Sequence, residues 1–116
     1  MDIVVSQQPG RVPVTVFHIQ GDINTETFGQ LQTQAQQAIQ SGTRCLVLDL
    51  EHVSYVTSYG IRAISQIFTW LRDGTFKSPH LKLLKPSPQV LKVLSLAGVD
   101  MFLEIHTDLK QAVASF

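Results

Sequence analysis

The short apolar run from Cys45 to Leu50 constrains the fold of this chain more than any other feature. Such a segment is typical of a strand buried on both faces, in the middle of a parallel sheet. On either side of it, apolar residues recur three and four positions apart, the spacing of one helix face: Phe28, Leu31, Ala35, Ala38 and Ile39 before it, and Ile61, Ile64, Ile67, Phe68 and Leu71 after it. This alternation predicts an α/β layer structure with mostly parallel strands and right-handed crossovers.

The remaining segments extend the prediction to a mixed, mostly parallel sheet of four to five strands with about four helices, in a single domain spanning 1–116. β-branched and aromatic residues predict a strand from Val12 to Ile19, hairpinned to Ile3–Ser6 through Pro9 and Gly10. Before the central strand, we predict a helix capped by Asn24 or Thr25 and ended by Gly42. After it, we predict a helix beginning near Ser58, a turn at 73–79 and a strand at Leu81–Leu84. The last predicted elements are a helix from Ser87 and Pro88 to Gly98, a strand at Phe102–Ile105 and a helix capped at Thr107 or Asp108.

Charge and hydropathy exclude several classes of partner. Nine basic and nine acidic residues give a net charge of zero and are scattered along the chain, so we expect no nucleic-acid partner, which would need a basic patch. No apolar run is long enough to cross a bilayer, so we expect no membrane association. The amino terminus lacks the basic start and apolar stretch of a signal peptide, which indicates a cytoplasmic protein.

The sequence offers no constellation for catalysis, metal binding or cofactor binding. The four histidines and Cys45 lack ligand-like spacing, and Cys45 is expected to be a buried structural thiol. There is no glycine-rich phosphate loop with its lysine, and Ser58 is not in a hydrolase nucleophile elbow. Asp49 and Glu51 should point to the same side of the central strand, as a solvated pair rather than an acid/base dyad. We therefore expect a protein that is not an enzyme.

Two turns are the candidate functional segments, because side chains just beyond the carboxyl ends of strands form the sites of such folds. They are Gly21–Asn24 and Thr57–Gly60. Ser58 has two interpretations: it is a helix cap contributing about 1 kcal/mol, or a phosphorylation site where first-turn amides and the helix dipole would stabilise a phosphate. The local pattern alone favours the cap. Gly60 allows close packing of the backbone, or close approach of another molecule.

The order of elements, together with Leu46–Leu50, Val53–Val56 and Thr57–Arg62, resembles the STAS domain family and, within it, the bacterial anti-sigma factor antagonists. The resemblance covers nearly the whole chain and includes the Gly21–Asp22 turn. It implies a module that binds an anti-sigma factor, usually a serine kinase of the histidine-kinase-like ATPase fold. It also implies that the kinase phosphorylates Ser58 and releases the antagonist, and that a PP2C-type phosphatase restores binding. The kinase would supply ATP and magnesium, so this chain needs no cofactor.

The same resemblance assigns a partner-binding surface to the two turns, formed by Gly21, Asp22, Asn24, Thr57, Ser58, Tyr59, Gly60 and Arg62. Two positions depart from the family pattern: Thr57 replaces the usual aspartate before the serine, and Tyr59 replaces a small residue. Thr57 is therefore a second candidate phosphoacceptor. Two alternatives remain open, namely a STAS scaffold module without a phosphorylation switch, and a small-ligand-binding protein or enzyme using the turns at 21–24 and 57–60.

Overall fold

The computed structural model describes residues 1–71 and 80–116, which form five strands and four α-helices. The predicted turn at 73–79 lies outside the described residues. The strands are β1 (Asp2–Gln8), β2 (Val14–Gln20), β3 (Leu46–His52), β4 (Leu81–Leu84) and β5 (Ile105–His106). The helices are α1 (Phe28–Gln40), α2 (Ser58–Leu71), α3 (Pro88–Leu96) and α4 (Leu109–Ala114), with a 3₁₀ turn at Val99–Met101.

The strands form one sheet in the order β1-β2-β3-β4-β5, with β3 at its centre as the apolar run predicted. β1 and β2 are an antiparallel hairpin, whereas β3, β4 and β5 each add in parallel. Leu46, Leu48 and Leu50 are fully buried on one face of the sheet, and Val47 is fully buried on the other. The mixed, mostly parallel α/β sheet with about four helices is therefore confirmed.

The two faces of the sheet are covered unequally. Helices α1, α2 and α3 pack on one face and bury the larger core, which includes Phe17, Leu31 and Ile64. Among the described helices, only α4 packs on the opposite face, where Ala112 and Val113 contact a smaller cluster that contains Cys45. Cys45 is buried as predicted, and burial raises the pKa of its thiol, with the charge of Lys82 acting in the opposite direction.

Lys82 is a buried charge on the face covered by α4, where only 2% of it is exposed. Its Nζ donates to Glu104 Oε2 at 3.0 Å and to the Ser115 carbonyl oxygen at 3.2 Å, and lies 4.7 Å from the centre of the Phe116 ring. The hydrogen bond from Lys82 is the main cause that lowers the pKa of Glu104. These partners compensate the cost of burying the ammonium group.

Several predicted boundaries are wrong, and each has a local cause. β2 begins at Val14 rather than Val12, after Pro13, which has no N–H for a ladder. α1 begins at Phe28 rather than after Asn24 or Thr25, because those residues form a separate turn. The last strand is Ile105–His106 rather than Phe102–Ile105, because the chain first forms the 3₁₀ turn and pairs with β4 only from Ile105 onward.

The predicted ends of the third and fourth helices are confirmed. Ser87 caps α3 by accepting a hydrogen bond from the Val90 amide, and Asp108 caps α4 by accepting one from the Lys110 amide. Gly98 follows α3 in the left-handed conformation. Among residues 1–71 and 80–116, no helix is long and apolar enough to span a bilayer.

Candidate partner-binding site

Ser58 is the first residue of α2, and its side chain is exposed. The Ile61 amide donates to the Thr57 carbonyl oxygen at 3.0 Å, which makes Thr57 the residue that precedes the first helical turn. Within the described part of the chain, the Ser58 hydroxyl forms no hydrogen bond. Its side chain is therefore not occupied as a cap, and its Oγ is open to solvent.

Thr57 differs from Ser58 in both burial and bonding. Its side chain is half-buried, and its hydroxyl donates inward to the Ile23 carbonyl oxygen at 3.4 Å. The Thr57 amide donates to the same oxygen at 3.0 Å. The hydroxyl of Thr57 thus faces the neighbouring turn of its own chain.

The two turns predicted to form the site lie side by side, joined by main-chain hydrogen bonds. The Gly21 amide donates to the His52 carbonyl oxygen at 3.2 Å, and the Ile23 amide donates to that of Tyr55 at 3.0 Å. Ile23 and Val56 form an isolated parallel bridge. The pairing of β2 and β3 therefore continues past the strand ends and joins the two turns.

Gly60 lies where this backbone comes closest to α2. A Cβ at this position would lie 2.7 Å from the Ile23 carbonyl oxygen and 2.7 Å from Val56 Cγ1, closer than atoms in contact can lie. Of the two roles predicted for Gly60, close packing within the chain is the one observed. Gly60 is buried, and the absence of a side chain there allows α2 to pack directly against the neighbouring turn.

The turn at 21–27 is held by reciprocal hydrogen bonds between Asn24 and Thr27. Asn24 Oδ1 accepts from the Glu26 amide at 2.9 Å and from the Thr27 amide at 3.2 Å. Thr27 Oγ1 donates to the Asp22 carbonyl oxygen at 2.7 Å and accepts from the Asn24 amide at 2.9 Å. Sequence reasoning missed Thr27, although a polar pair three residues apart is a known signature of such reciprocal bonding.

An aromatic and cationic surface lies beside Ser58. The Tyr59 ring packs against Phe28 of α1, with ring centroids 5.3 Å apart, and Arg62 Cζ lies 5.6 Å from the Tyr59 centroid. Tyr59 is 39% exposed even with these two contacts. Phe28 was predicted only as a core position of α1, so its contact with Tyr59 is an addition to the site.

The structure therefore places all eight predicted site residues just beyond the carboxyl ends of β2 and β3 or in the first turns of α2. They fall into three classes of exposure. Asn24 and Thr57 are half-buried and Gly60 is buried; the exposed ones are Gly21, Asp22, Ser58, Tyr59 and Arg62. Gly21 has a φ of +105°, a conformation that L side chains rarely adopt, so its role is to shape the turn. The exposed side chains supply a hydroxyl, one charge of each sign and an aromatic ring.

A family model for the STAS domain matches residues 3–112 of the chain. The chain belongs to the STAS domain family. Its sequence is 26% identical over 98 residues to BtrV of Bordetella bronchiseptica, a protein described as an anti-sigma factor antagonist, and the match covers 84% of this STAS domain and 82% of BtrV.

Solved structures share the fold of this STAS domain. An anti-sigma factor antagonist domain protein from Planctomyces limnophilus has a TM-score of 0.79 at 18% identity, covering 96% of this chain and 93% of that one. The anti-sigma factor antagonist SpoIIAA in its unphosphorylated form has a TM-score of 0.75 at 18% identity, covering 95% and 93%. The phosphorylated form of SpoIIAA from Bacillus has a TM-score of 0.67 at 17% identity, covering 95% and 96%.

A second polar cluster lies away from these turns, on the sheet face that α4 covers in part. His18 Nδ1 is 2.9 Å from Asp49 Oδ2, and His18 Nε2 is 2.9 Å from Ser6 Oγ. The prediction of a solvated Asp49–Glu51 pair is therefore wrong for Asp49, which is only 7% exposed. Glu51 is exposed, as predicted, and its Oε2 lies 3.6 Å from Lys85 Nζ.

In the described ranges, no group of three metal-ligating side chains is present.

Proposed function

We propose that this STAS domain is an anti-sigma factor antagonist that acts in partner switching. It binds an anti-sigma factor that is also a serine kinase of the histidine-kinase-like ATPase fold, and phosphorylation of Ser58 by that kinase releases it. A PP2C-type phosphatase restores binding, and the exchange takes place in the cytoplasm. The observation that carries the proposal is the exposed Ser58 hydroxyl, which no other described residue engages, at the start of α2 beside a fixed turn.

Ser58 is a better phosphoacceptor than Thr57 on structural grounds. A kinase must reach the acceptor oxygen and remove its proton, and Ser58 Oγ is exposed at the first residue of the helix. Thr57 Oγ1 is half-buried and donates its proton to Ile23. Phosphorylating Thr57 would break this contact, whereas phosphorylating Ser58 breaks no hydrogen bond between described residues.

The added charge gives a physical basis for release. A phosphate brings about −1.5 to −2 charges to a surface whose exposed side chains otherwise supply a hydroxyl, an aromatic ring and one charge of each sign. The first-turn amides of α2 would stabilise it in the free protein. Docking against an acidic or apolar partner surface would then require removing that charge from water, which opposes binding.

The exposed side chains of Asp22, Tyr59 and Arg62 would make the direct contacts with the anti-sigma factor. Tyrosine and arginine are among the residues most enriched in binding hot spots, and these two contact one another. Gly21, Asn24, Thr57 and Gly60 would act indirectly by fixing the backbone of the two turns. The proposed role requires no catalytic group, metal or cofactor from this chain.

The phosphorylation step is tested by incubating the protein with ATP, magnesium and the candidate kinase, followed by intact mass measurement. We expect one added phosphate, which is lost in Ser58→Ala and retained in Thr57→Val, a variant that removes only the threonine hydroxyl. A phosphate that persists in Ser58→Ala would assign the acceptor elsewhere.

The release step is tested with two variants of nearly equal size, Ser58→Asp and Ser58→Asn, in a direct binding assay with the anti-sigma factor. We expect Ser58→Asp to weaken binding by about tenfold or more, corresponding to about 1.4 kcal/mol, and Ser58→Asn to weaken it less. Equal loss in the two variants would show that size rather than charge controls binding.

A further inference from the structure

Ser6, His18 and Asp49 form a continuous hydrogen-bonded chain across three adjacent strands. Ser6 Oγ lies 2.9 Å from His18 Nε2, and His18 Nδ1 lies 2.9 Å from Asp49 Oδ2. His18 is directly opposite Asp49 in the β2–β3 register, and Ser6 is opposite Val16, two residues before His18. Alternation along the strands therefore places all three side chains on one face.

The hydrogen bonds define which atom carries each proton. As a carboxylate, Asp49 only accepts, so His18 Nδ1 must donate to it. In the neutral imidazole, His18 Nε2 is then an acceptor, and the Ser6 hydroxyl donates to it. The Glu51 amide donates to the other oxygen, Asp49 Oδ1, at 3.1 Å and so holds the carboxylate in place. This is the arrangement of nucleophile, base and orienting carboxylate that recurs on unrelated folds.

The carboxylate of the chain is less exposed than the histidine and the serine. The Asp49 side chain is 10% exposed, whereas the His18 side chain is 34% exposed. Ser6 lies on the edge strand β1 and is partly exposed, so a small electrophile can reach its oxygen.

We propose that Ser6 is an activated nucleophile and a modification site for acyl groups from activated acyl esters. Ser6 Oγ attacks the acyl carbon of an aryl ester and forms a new C–O bond, while its proton passes to His18 Nε2. Asp49 stabilises the imidazolium that forms. The bond between the acyl carbon and the aryl oxygen breaks, and the phenolate leaves with the bonding electron pair. The products are the Ser6 acyl ester and the phenol, which takes up the proton.

The proposal predicts selectivity among the serines of one molecule. Ser54, Ser58 and Ser95 are more exposed than Ser6, but within the described residues their hydroxyls have no histidine partner. The exposed Ser115 Oγ lies 3.5 Å from His106 Nε2, but it donates to the Ala112 carbonyl oxygen at 2.7 Å, so its proton is not directed to the histidine. General-base assistance typically contributes a factor of about 10²–10⁴ in rate. Ser6 should therefore be acylated about a hundredfold faster than Ser95, despite its lower exposure.

The experiment treats the full chain with 4-nitrophenyl acetate and maps the acetyl group by peptide mass spectrometry. Hydroxylamine cleaves an ester but not a lysine amide, so it separates the expected product from lysine acetylation. We expect one hydroxylamine-sensitive acetyl group on Ser6, absent in Ser6→Ala and slowed about a hundredfold in His18→Gln. Asp49→Asn should also slow it, and Ser95→Ala should leave it unchanged.

Circular dichroism verifies that the variants are compared at equal folded fraction. A slower acylation rate can then be attributed to loss of the basic nitrogen of His18 and not to unfolding. Glutamine at 18 keeps a hydrogen-bonding side chain but has no basic nitrogen. Three results would overturn the proposal: no acetyl group on Ser6, equal labelling of Ser6 and Ser95, or an undiminished rate at Ser6 in folded His18→Gln.

Discussion

The α-carbon of Gly60 faces the carbonyl oxygen of Ile23 so closely that a Cβ would lie 2.7 Å from that oxygen. The same oxygen accepts hydrogen bonds from the Thr57 amide and the Thr57 hydroxyl. A single carbonyl group of the first turn thus contacts both the residue before α2 and the first turn of that helix. The position of Ser58 depends on this contact.

Gly60→Ala should destabilise the protein by about 1–3 kcal/mol, because the new methyl group would overlap the backbone oxygen of Ile23 as well as the Val56 side chain. The measurement is urea unfolding followed by circular dichroism. Gly29→Ala is the matched control, since a Cβ at this position in α1 meets no atom within 4 Å. The control should be neutral or up to about 1 kcal/mol more stable. Equal effects of the two changes would contradict the close contact at Gly60.

Asn24→Ala should cost about 1 kcal/mol and increase amide hydrogen exchange at Glu26 and Thr27, because both amides lose their acceptor. Asn24→Asp keeps an acceptor oxygen in the same place and should retain most of the protection. The measurement is residue-resolved hydrogen exchange. Unchanged exchange in Asn24→Ala would show that these bonds do not hold the turn.

Tyr59→Ala should weaken binding to the anti-sigma factor by about tenfold or more, as expected for a central aromatic contact. Tyr59→Phe keeps the ring that packs on Phe28 and lies beneath Arg62, and should bind within about threefold of the unmodified protein. Isothermal titration calorimetry with the purified partner distinguishes them. Normal binding by Tyr59→Ala would remove this ring from the proposed surface.

The pair of Lys82 and Glu104 should make stability depend on acid pH. The hydrogen bond from Lys82 lowers the pKa of Glu104, so the unfolded chain takes up a proton at a higher pH than the folded one. The resulting stability is present above the unfolded pKa of about 4.3 and is lost as the pH falls through the lowered folded value. Unfolding free energies measured from pH 7 downward should show a smaller acid-induced decrease in Glu104→Gln. An identical pH profile in that variant would contradict the assignment.

Cys45 should react slowly with thiol reagents in the folded protein. It is 5% exposed, and burial raises the pKa of its thiol, so both access and the thiolate fraction are reduced. A time course with 5,5′-dithiobis(2-nitrobenzoic acid) should show slow labelling in buffer and rapid labelling in denaturing urea. Similar rates in the two solutions would show that the thiol is accessible.

The sequence predicted most of the fold because its signals are local. Helical spacing in α1 and α2, the apolar run of β3 and the capping residues Ser87 and Asp108 all lie within short segments, and each is observed. The boundaries that were wrong were displaced by short irregular turns that the helix and strand patterns do not reveal. The last strand is shortened by a 3₁₀ turn, and its length depends on where β4 can pair with it.

The candidate site was predicted as two turns, but the contacts between them were not. The proximity of the turns follows from parallel strand ends, which sequence patterns indicate. The contact of Gly60 with Ile23, and that of Tyr59 with Phe28, depend on how α2 packs on neighbouring elements. The Ser6–His18–Asp49 chain depends on strand register, which joins residues 12 and 31 positions apart and leaves no local pattern.

The mutual hydrogen bonding of the two turns bears on how a phosphate at Ser58 would be sensed. The main chain before the acceptor is already hydrogen-bonded to the neighbouring turn, and Gly60 after it packs closely against that turn, so there is little freedom for the modification to reorganise the backbone. Modified and unmodified proteins should then superimpose closely in crystals, and differ in electrostatic potential around one helix terminus. An anti-sigma factor would in that case distinguish the phosphorylated from the unphosphorylated protein by the electrostatic potential at the start of α2, and not by a change in backbone conformation.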